Sequence, residues 1–257
     1  MAGSPNREEA LRLLLRNLKL PSFQAHWSEV ARQAEDGGWT FGAFLHHLAE
    51  VEVEERRQRR VLRHLKESQL PHGKTLATLD ALKLPAKVRR VLPRLCEGGF
   101  TDRGDNVLVF GLPGRGKTHL ACAIGHELVQ RGRRVLFTST NLLVQRLLVA
   151  KRNLELERAL KRLDRYDVLI LDDLGYVQQD RAEMEVLFTL LAERYERRSV
   201  IITSNLVFSQ WDQIFKDPMT TAAAIDRVVH HSVILEMTGP SIRTEQAKAN
   251  QAALTGT

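Results

Sequence analysis

Val107-Leu108-Val109-Phe110-Gly111-Leu112-Pro113-Gly114-Arg115-Gly116-Lys117-Thr118-His119 is the stretch that decides how this chain folds. Four apolar or β-branched residues run into a glycine, and the positions that follow complete the pattern G-x-x-x-x-G-K-[ST]. A buried strand therefore enters a glycine-rich loop that opens a helix. The glycines let the backbone curl so that successive N–H groups point at phosphate oxygens, and the helix N-terminus adds a partial positive charge. In this chemistry Lys117 reaches the β and γ phosphates of ATP and the Thr118 hydroxyl ligates Mg²⁺. The expected nucleotide-binding positions are Gly111, Leu112, Pro113, Gly114, Arg115, Gly116, Lys117, Thr118 and His119.

Outward from this loop, short apolar runs alternate with helical segments. The runs are Val107 to Phe110, Val135 to Thr138, Val168 to Leu171, Ser199 to Thr203 and Ser232 to Met237. Five strands separated by helices predict an α/β fold with a five-stranded parallel sheet built of right-handed crossovers. The third run ends in Asp172-Asp173, which puts two carboxylates at the carboxyl edge of a strand, where open α/β sheets bind their ligands. Asp172 is the expected Mg²⁺ partner alongside Thr118, and Asp173 the group that orients or deprotonates the attacking water. The fourth run exits into Ser204-Asn205, so Asn205 lies at the same edge, within range of the water or the γ phosphate.

Residues 1 to 70 read differently. Leu11, Leu14, Leu15 and Leu18 recur at helical spacing behind Asn6 and Glu9, which resemble a capping box. A second helix runs from about Ser22 to Glu35 and stops at Gly37-Gly38. A third begins behind Thr40 and carries Phe41, Phe44, Leu45, Leu48 and Val51 on one face. It continues through Glu54-Glu55-Arg56-Arg57-Gln58-Arg59-Arg60. That polar run cannot face a core. It is either a solvated face held by Glu52–Arg56 and Glu55–Arg59 pairs, each a few tenths of a kcal/mol, or a nucleic-acid contact through Arg56, Arg57, Arg59 and Arg60. Pro71-His72-Gly73 breaks the helix. Residues 71–105 then read as a basic connector, and 106–257 as the ATP-binding domain.

The formal charge is +7 over 257 residues, and its distribution is uneven. Arg56 to Arg94 holds twelve basic residues against two acidic ones, and Arg131 to Arg165 holds ten against three. The second stretch includes Lys151 and Arg152, in a pair of helical segments where a minimal crossover needs one. Either basic surface would bind double-stranded DNA in a salt-sensitive way with little sequence reading. A solvated helical face is the alternative.

Taken together, the strand and phosphate loop, Asp172-Asp173, Thr203-Ser204-Asn205, Ala224-Ile225-Asp226-Arg227-Val228 and Gly239-Pro240-Ser241-Ile242-Arg243 resemble an AAA+ ATPase of the initiator and helicase-loader group. The closest resemblance is to the IstB-like transposition helper ATPases, relatives of the DnaC-type loaders. It covers about residues 75 to 245, and the helical region before it also looks like the part preceding the ATPase in those proteins. The resemblance implies that Asn205 is a sensor amide, Arg227 an arginine finger offered to a neighbouring subunit's ATP, and Arg243 a second sensor. It also implies a homo-oligomer, as a ring or a filament on DNA, that directs a transposase; the alternative is a loader acting on a replicative helicase. The chain departs from the general pattern in carrying Asp173 where many AAA+ proteins have Glu, and Ile242 where related loaders place an aromatic. About twenty residues follow the last strand, which predicts no separate helical lid.

Composition limits the other classes. Hydrophobic residues at 43% and charged residues at 27% suit a globular protein. No run approaches the roughly 18 apolar residues of a membrane span. Cys96 and Cys122 are too few for a disulfide framework, which points to the reducing cytoplasm. The adjacent pairs His46-His47 and His230-His231 are not expected to bind metal, because neighbours on a helix do not share a face. Trp27, Trp39 and Trp211 read as packing anchors. A small-molecule kinase, the remaining reading for a phosphate loop, lacks an evident acceptor site.

Overall fold

The computed structural model describes residues 5–175, 181–206 and 225–238. They divide into two compact units, 1–63 and 64–257.

The first unit is helical. Its helices are α1 (Pro5–Asn17), α2 (Pro21–Asp36) and the greater part of α3 (Phe41–Ser68). Leu15, Val30 and Leu48 are buried, as the helical spacing requires. Pro21 at the first position of α2 removes one orphan N–H. The next N–H, of Ser22, donates to the carboxylate of Glu52 on α3 at 2.8 Å. Burial by itself would raise the Glu52 pKa, but the Ser22 N–H and the Arg56 guanidinium outweigh it and hold the carboxyl below its ordinary value. Glu52 is thus a cap supplied from another helix, placed where the helix dipole favours an anion. Both expected pairs on α3 are present. Arg56 holds Glu52 through Nε at 3.0 Å and Nη2 at 2.8 Å, and Arg59 approaches Glu55 at 3.5 Å.

The second unit contains the sheet. Its strands are β1 (Asn106–Phe110), β2 (Val135–Ser139), β3 (Val168–Leu174), β4 (Ser199–Ser204) and β5 (Ser232–Glu236). All pair in parallel, in the order β2-β3-β4-β1-β5. Central strands β1, β3 and β4 are buried almost throughout, which is why their residues run apolar without alternation. One face of the sheet packs Leu108, Leu136, Leu169, Leu171 and Ile202 against α7 (Thr140–Arg152) and α9 (Arg181–Arg194). The other takes α6 (Lys117–Gln130), which is buried around most of its circumference. Here Gly125 lets the helix approach: a Cβ at that position would stand 2.8 Å from Ile170 Cδ1.

The basic stretch 71–105 is folded. It forms a short 3₁₀ turn (Ala81–Lys83), α4 (Ala86–Glu97) and α5 (Gly99–Asp102). Val88, Leu95, Cys96 and Phe100 are buried, and α4 lies against α6. Gly98 ends α4 in the left-handed conformation, φ 82°. The two helices expected between β2 and the acidic strand are α7 and α8 (Leu156–Leu163). Arg194, at the end of α9, is 2% exposed and donates to the carbonyls of Leu163, Tyr166, Asp167 and Ser199 at 2.9 to 3.3 Å. Its guanidinium ties the entries of β3 and β4 to the helix. Cys96 and Cys122 are free and buried, and burial pushes the thiols up to about 11 and about 12. Among the described residues no helix is long and apolar enough to cross a membrane.

Candidate active site

At the carboxyl edge of the sheet a cleft of about 360 Å³ opens beside the glycine-rich loop. Pro113 to His119, Asp173 and Asn205 line it, together with Lys74, Thr78, Leu79, Asp80 and Leu84. The loop's three glycines all have positive φ: Gly111 at 153°, Gly114 at 80° and Gly116 at 81°. Gly111 is required for a second reason. A Cβ there would stand 2.5 Å from the Met237 carbonyl oxygen just beyond β5. Arg115 reaches across to the same carbonyl at 3.3 Å. Lys117 folds back over the loop, its Nζ donating to the carbonyls of Gly111 at 2.7 Å and Leu112 at 3.2 Å.

Because β4 lies between β1 and β3, its last residues separate the loop from the acidic pair. Thr203 is the hub. Its hydroxyl donates to Asp172 Oδ1 at 2.6 Å and accepts the Asp173 N–H at 2.9 Å. The Asp172 main chain is fixed as well, its carbonyl accepting from the Thr140 hydroxyl at 3.0 Å. The Thr118 hydroxyl lies near enough to the Asp172 carboxylate to favour its charged form, so two hard oxygen donors face each other. Burial raises the Asp172 pKa and the neighbouring Asp173 adds to it, while the two threonine hydroxyls and Lys74 work the other way.

The two acids differ because β3 slips register between Leu171 and Leu174. Asp173 sits in that irregularity at φ 57°, in the left-handed region, and this turns its carboxylate outward. Asp172 is 8% exposed, whereas Asp173 is solvent-accessible and lines the cleft. Ser204 then makes the turn that presents Asn205, its hydroxyl donating to the Leu174 carbonyl at 2.8 Å and accepting the Leu206 N–H at 3.1 Å.

Lys74 and Thr78 carry no motif and escape the sequence reading, and Thr203, although part of the Thr203-Ser204-Asn205 run, is given no role of its own there. The signal for Lys74 is only the basic bias of its stretch. Thr78 shows itself through His119, whose Nε2 lies 3.1 Å from both the Thr78 hydroxyl and the Thr75 carbonyl. His119 thus binds the cleft wall to the first turn of α6. Arg227 is exposed, on a helical turn at 225–229, in a surface hollow along α9 with Met184, Phe188 and Glu193. It does not line the cleft. Arg243 and Trp211 lie outside the described residues.

Of the basic residues singled out for DNA, several are engaged. Arg56 and Arg59 are held by Glu52 and Glu55, Arg57 by Glu54 at 2.9 Å, and Lys151 by Glu185 at 2.7 Å. Arg60 and Arg152 are exposed.

A five-stranded parallel sheet with a phosphate loop after β1 and carboxylates at the carboxyl end of β3 defines an ATPase of the AAA+ P-loop class. The IstB-like ATP binding protein family matches residues 13–250, and the chain belongs to that family. It is 48% identical to an insertion-sequence ATP-binding protein of Sinorhizobium fredii, covering 93% of this chain and 81% of that one. It is 38% identical to the protein of Pseudomonas aeruginosa named for ATP binding in insertion sequence IS21, over 93% and 90% of the two chains. Among solved structures, it shares a fold with DnaI at TM-score 0.55 and 22% identity, over 66% of this chain and 96% of that one. The corresponding values for AMPPCP-bound DnaA from Aquifex aeolicus are 0.54 and 19%, over 73% and 57%.

Proposed function

We propose that this ATPase is the helper of a transposase, assembling on double-stranded DNA and using ATP to prepare the target. The observation that carries this reading is membership of the IstB-like family at high coverage, with relatives named for insertion sequences in several bacteria. By this reading the protein works in the cytoplasm, where residues 106–257 turn over nucleotide and residues 1–70 meet the partner or the DNA.

The residues fit the proposed chemistry. The Thr118 hydroxyl and Asp172 carboxylate are the hard oxygen donors that Mg²⁺ prefers, and Thr203 keeps Asp172 aimed at them. Bound there, Mg²⁺ would neutralise charge on the phosphates. The loop N–H groups and Lys117 bind the phosphates, and Lys117 must first leave the Gly111 and Leu112 carbonyls to do so. Asp173 accepts the proton of, or orients, the attacking water from its outward position, with Asn205 beside it. Arg227 lies away from its own subunit's cleft, which supports its use across a subunit interface. Arg243 completes the set by resemblance alone. Arg60 and Arg152 are the favoured phosphate contacts on the two basic surfaces, since Arg56, Arg57, Arg59 and Lys151 are already paired.

The test is ATP hydrolysis by the purified protein with and without duplex DNA, followed by capture of a transposase and of a replicative helicase. DNA-stimulated turnover that Lys117→Ala abolishes, with capture of the transposase, is the expected result. Capture of the helicase alone would replace this reading with that of a loader.

A further inference from the structure

The structure assigns a second, unrelated cluster to metal chemistry: we propose that Glu196, His230 and His231 form a site for a divalent transition metal of the Zn²⁺ or Ni²⁺ type. One carboxylate oxygen of Glu196 and one ring nitrogen of each histidine lie within 4.8 Å of one another. A metal with ligand distances of about 2.0–2.2 Å needs its donors roughly 3.3 Å apart. Small rotations of three exposed side chains close that gap. His231 Nε2 already stands 3.5 Å from Glu196 Oε1.

The helical rule that sets neighbouring histidines on different faces does not apply to this pair. The helical turn ends at Val229, so His230 and His231 occupy the bend before β5 rather than a helix. Their rings come within 4.1 Å, centroid to centroid, at 49°. Two further features hold the cluster. The Tyr195 hydroxyl lies 2.9 Å from His230 Nδ1 and orients the ring, as outer partners of metal-binding histidines do. Glu196 sits at φ 56°, and Gly104 packs so closely that a Cβ would stand 2.9 Å from the Glu196 carbonyl carbon. The glutamate's backbone is therefore fixed against the body of the domain.

Two imidazoles and one carboxylate suit a borderline ion and leave coordination positions for water. The ligands come from the turn after α9 and from the bend before β5. A bound ion would cross-link the two and steady the helical turn that carries Arg227. The cluster lies at the amino ends of the strands, opposite the nucleotide cleft, so ATP and this metal do not compete.

Tag-free, chelator-treated full-length protein is titrated with Co²⁺, followed by its visible d–d absorption, and then with Zn²⁺ in competition. One tightly bound equivalent is expected, with a Zn²⁺-dependent rise in Tm. Glu196→Gln and His231→Ala should each weaken binding by about 10-fold or more, while His46→Ala, at the other histidine pair, should leave it unchanged. Circular dichroism of the metal-free variants checks that each is folded. Equal stoichiometry and affinity in the wild type and in the doubly substituted His230→Ala/His231→Ala protein would overturn the assignment. So would the absence of both the spectrum and the Tm rise at tens of micromolar metal.

Discussion

Thr203 and Asp173 make opposite demands on the same few atoms. In the proposed chemistry Asp173 needs an exposed carboxylate, and the chain supplies it by turning one strand residue into the left-handed region, a conformation costing of order 1 kcal/mol. Thr203 offsets the cost by accepting the Asp173 N–H while its own O–H anchors Asp172. Asp173→Asn should keep ATP affinity within about 2-fold and lower the hydrolysis rate by about 10² or more, since the amide keeps the size and loses the base. Nucleotide binding and single-turnover hydrolysis separate these effects, and normal turnover would make Asp173 a bystander. Thr203→Val keeps the volume but leaves the Asp172 carboxylate and the Asp173 N–H short of a partner. It should lower stability by about 1–3 kcal/mol in denaturant unfolding and slow hydrolysis with it. Unchanged values on both counts would show that water replaces the hydroxyl without loss.

At the scale of elements, two helices show how a charge run divides its work. The arginines of α3 look alike in the sequence, yet Arg56 and Arg59 hold Glu52 and Glu55, while Arg60 is exposed to solvent. Arg60→Glu with Arg152→Glu should therefore weaken DNA binding across all sequences. The slope of log affinity against log salt should fall by about 0.9 for each phosphate that the variant no longer neutralises. Identical salt slopes for variant and wild type would move the DNA surface elsewhere. Glu52 belongs to the fold instead. Its folded-state pKa is lowered, so its stabilising effect is present above the ordinary value of 4.5 and is lost as pH falls through the folded value. Glu52→Gln should cost the helical unit about 1–2 kcal/mol at neutral pH and little in acid, where the wild-type carboxyl is itself protonated. Thermal unfolding followed from pH 7 down through the titration of the carboxyl reads the difference, and an equal cost throughout would assign the effect to packing.

For the whole molecule, the proposed use of Arg227 across a subunit interface would make one chain an incomplete catalyst. An arginine supplied in trans is worth about 10³ to 10⁵ in rate. Arg227→Ala should bind ATP normally and hydrolyse it poorly, and the wild-type specific rate should rise with protein concentration. Mixing Arg227→Ala with Lys117→Ala should restore part of the activity, because each contributes the half the other lacks. A rate per subunit that stays constant down to monomeric dilution, with no rescue on mixing, would return Arg227 to the ordinary surface.

Much of this was legible in one dimension, since local periodicity and short motifs depend on neighbours in the chain. The five strands agree with the apolar runs to within one residue at their starts and three at their ends, and the Glu52–Arg56 and Glu55–Arg59 pairs follow from helical spacing alone. The phosphate loop needed no fold to be recognised, because its glycines answer a local backbone requirement. What only the tertiary structure decided is which distant residues meet. Strand order puts β4 between the loop and the acids, and so makes Thr203 their common partner. The folding of 71–105 against α6 brings Lys74 and Thr78 into the cleft, where their sequence reads as a linker. A helical turn that stops at Val229 sets His230 and His231 beside Glu196. In each case the deciding contact joins segments far apart in sequence, and its energy comes from burial and hydrogen bonds that periodicity does not encode.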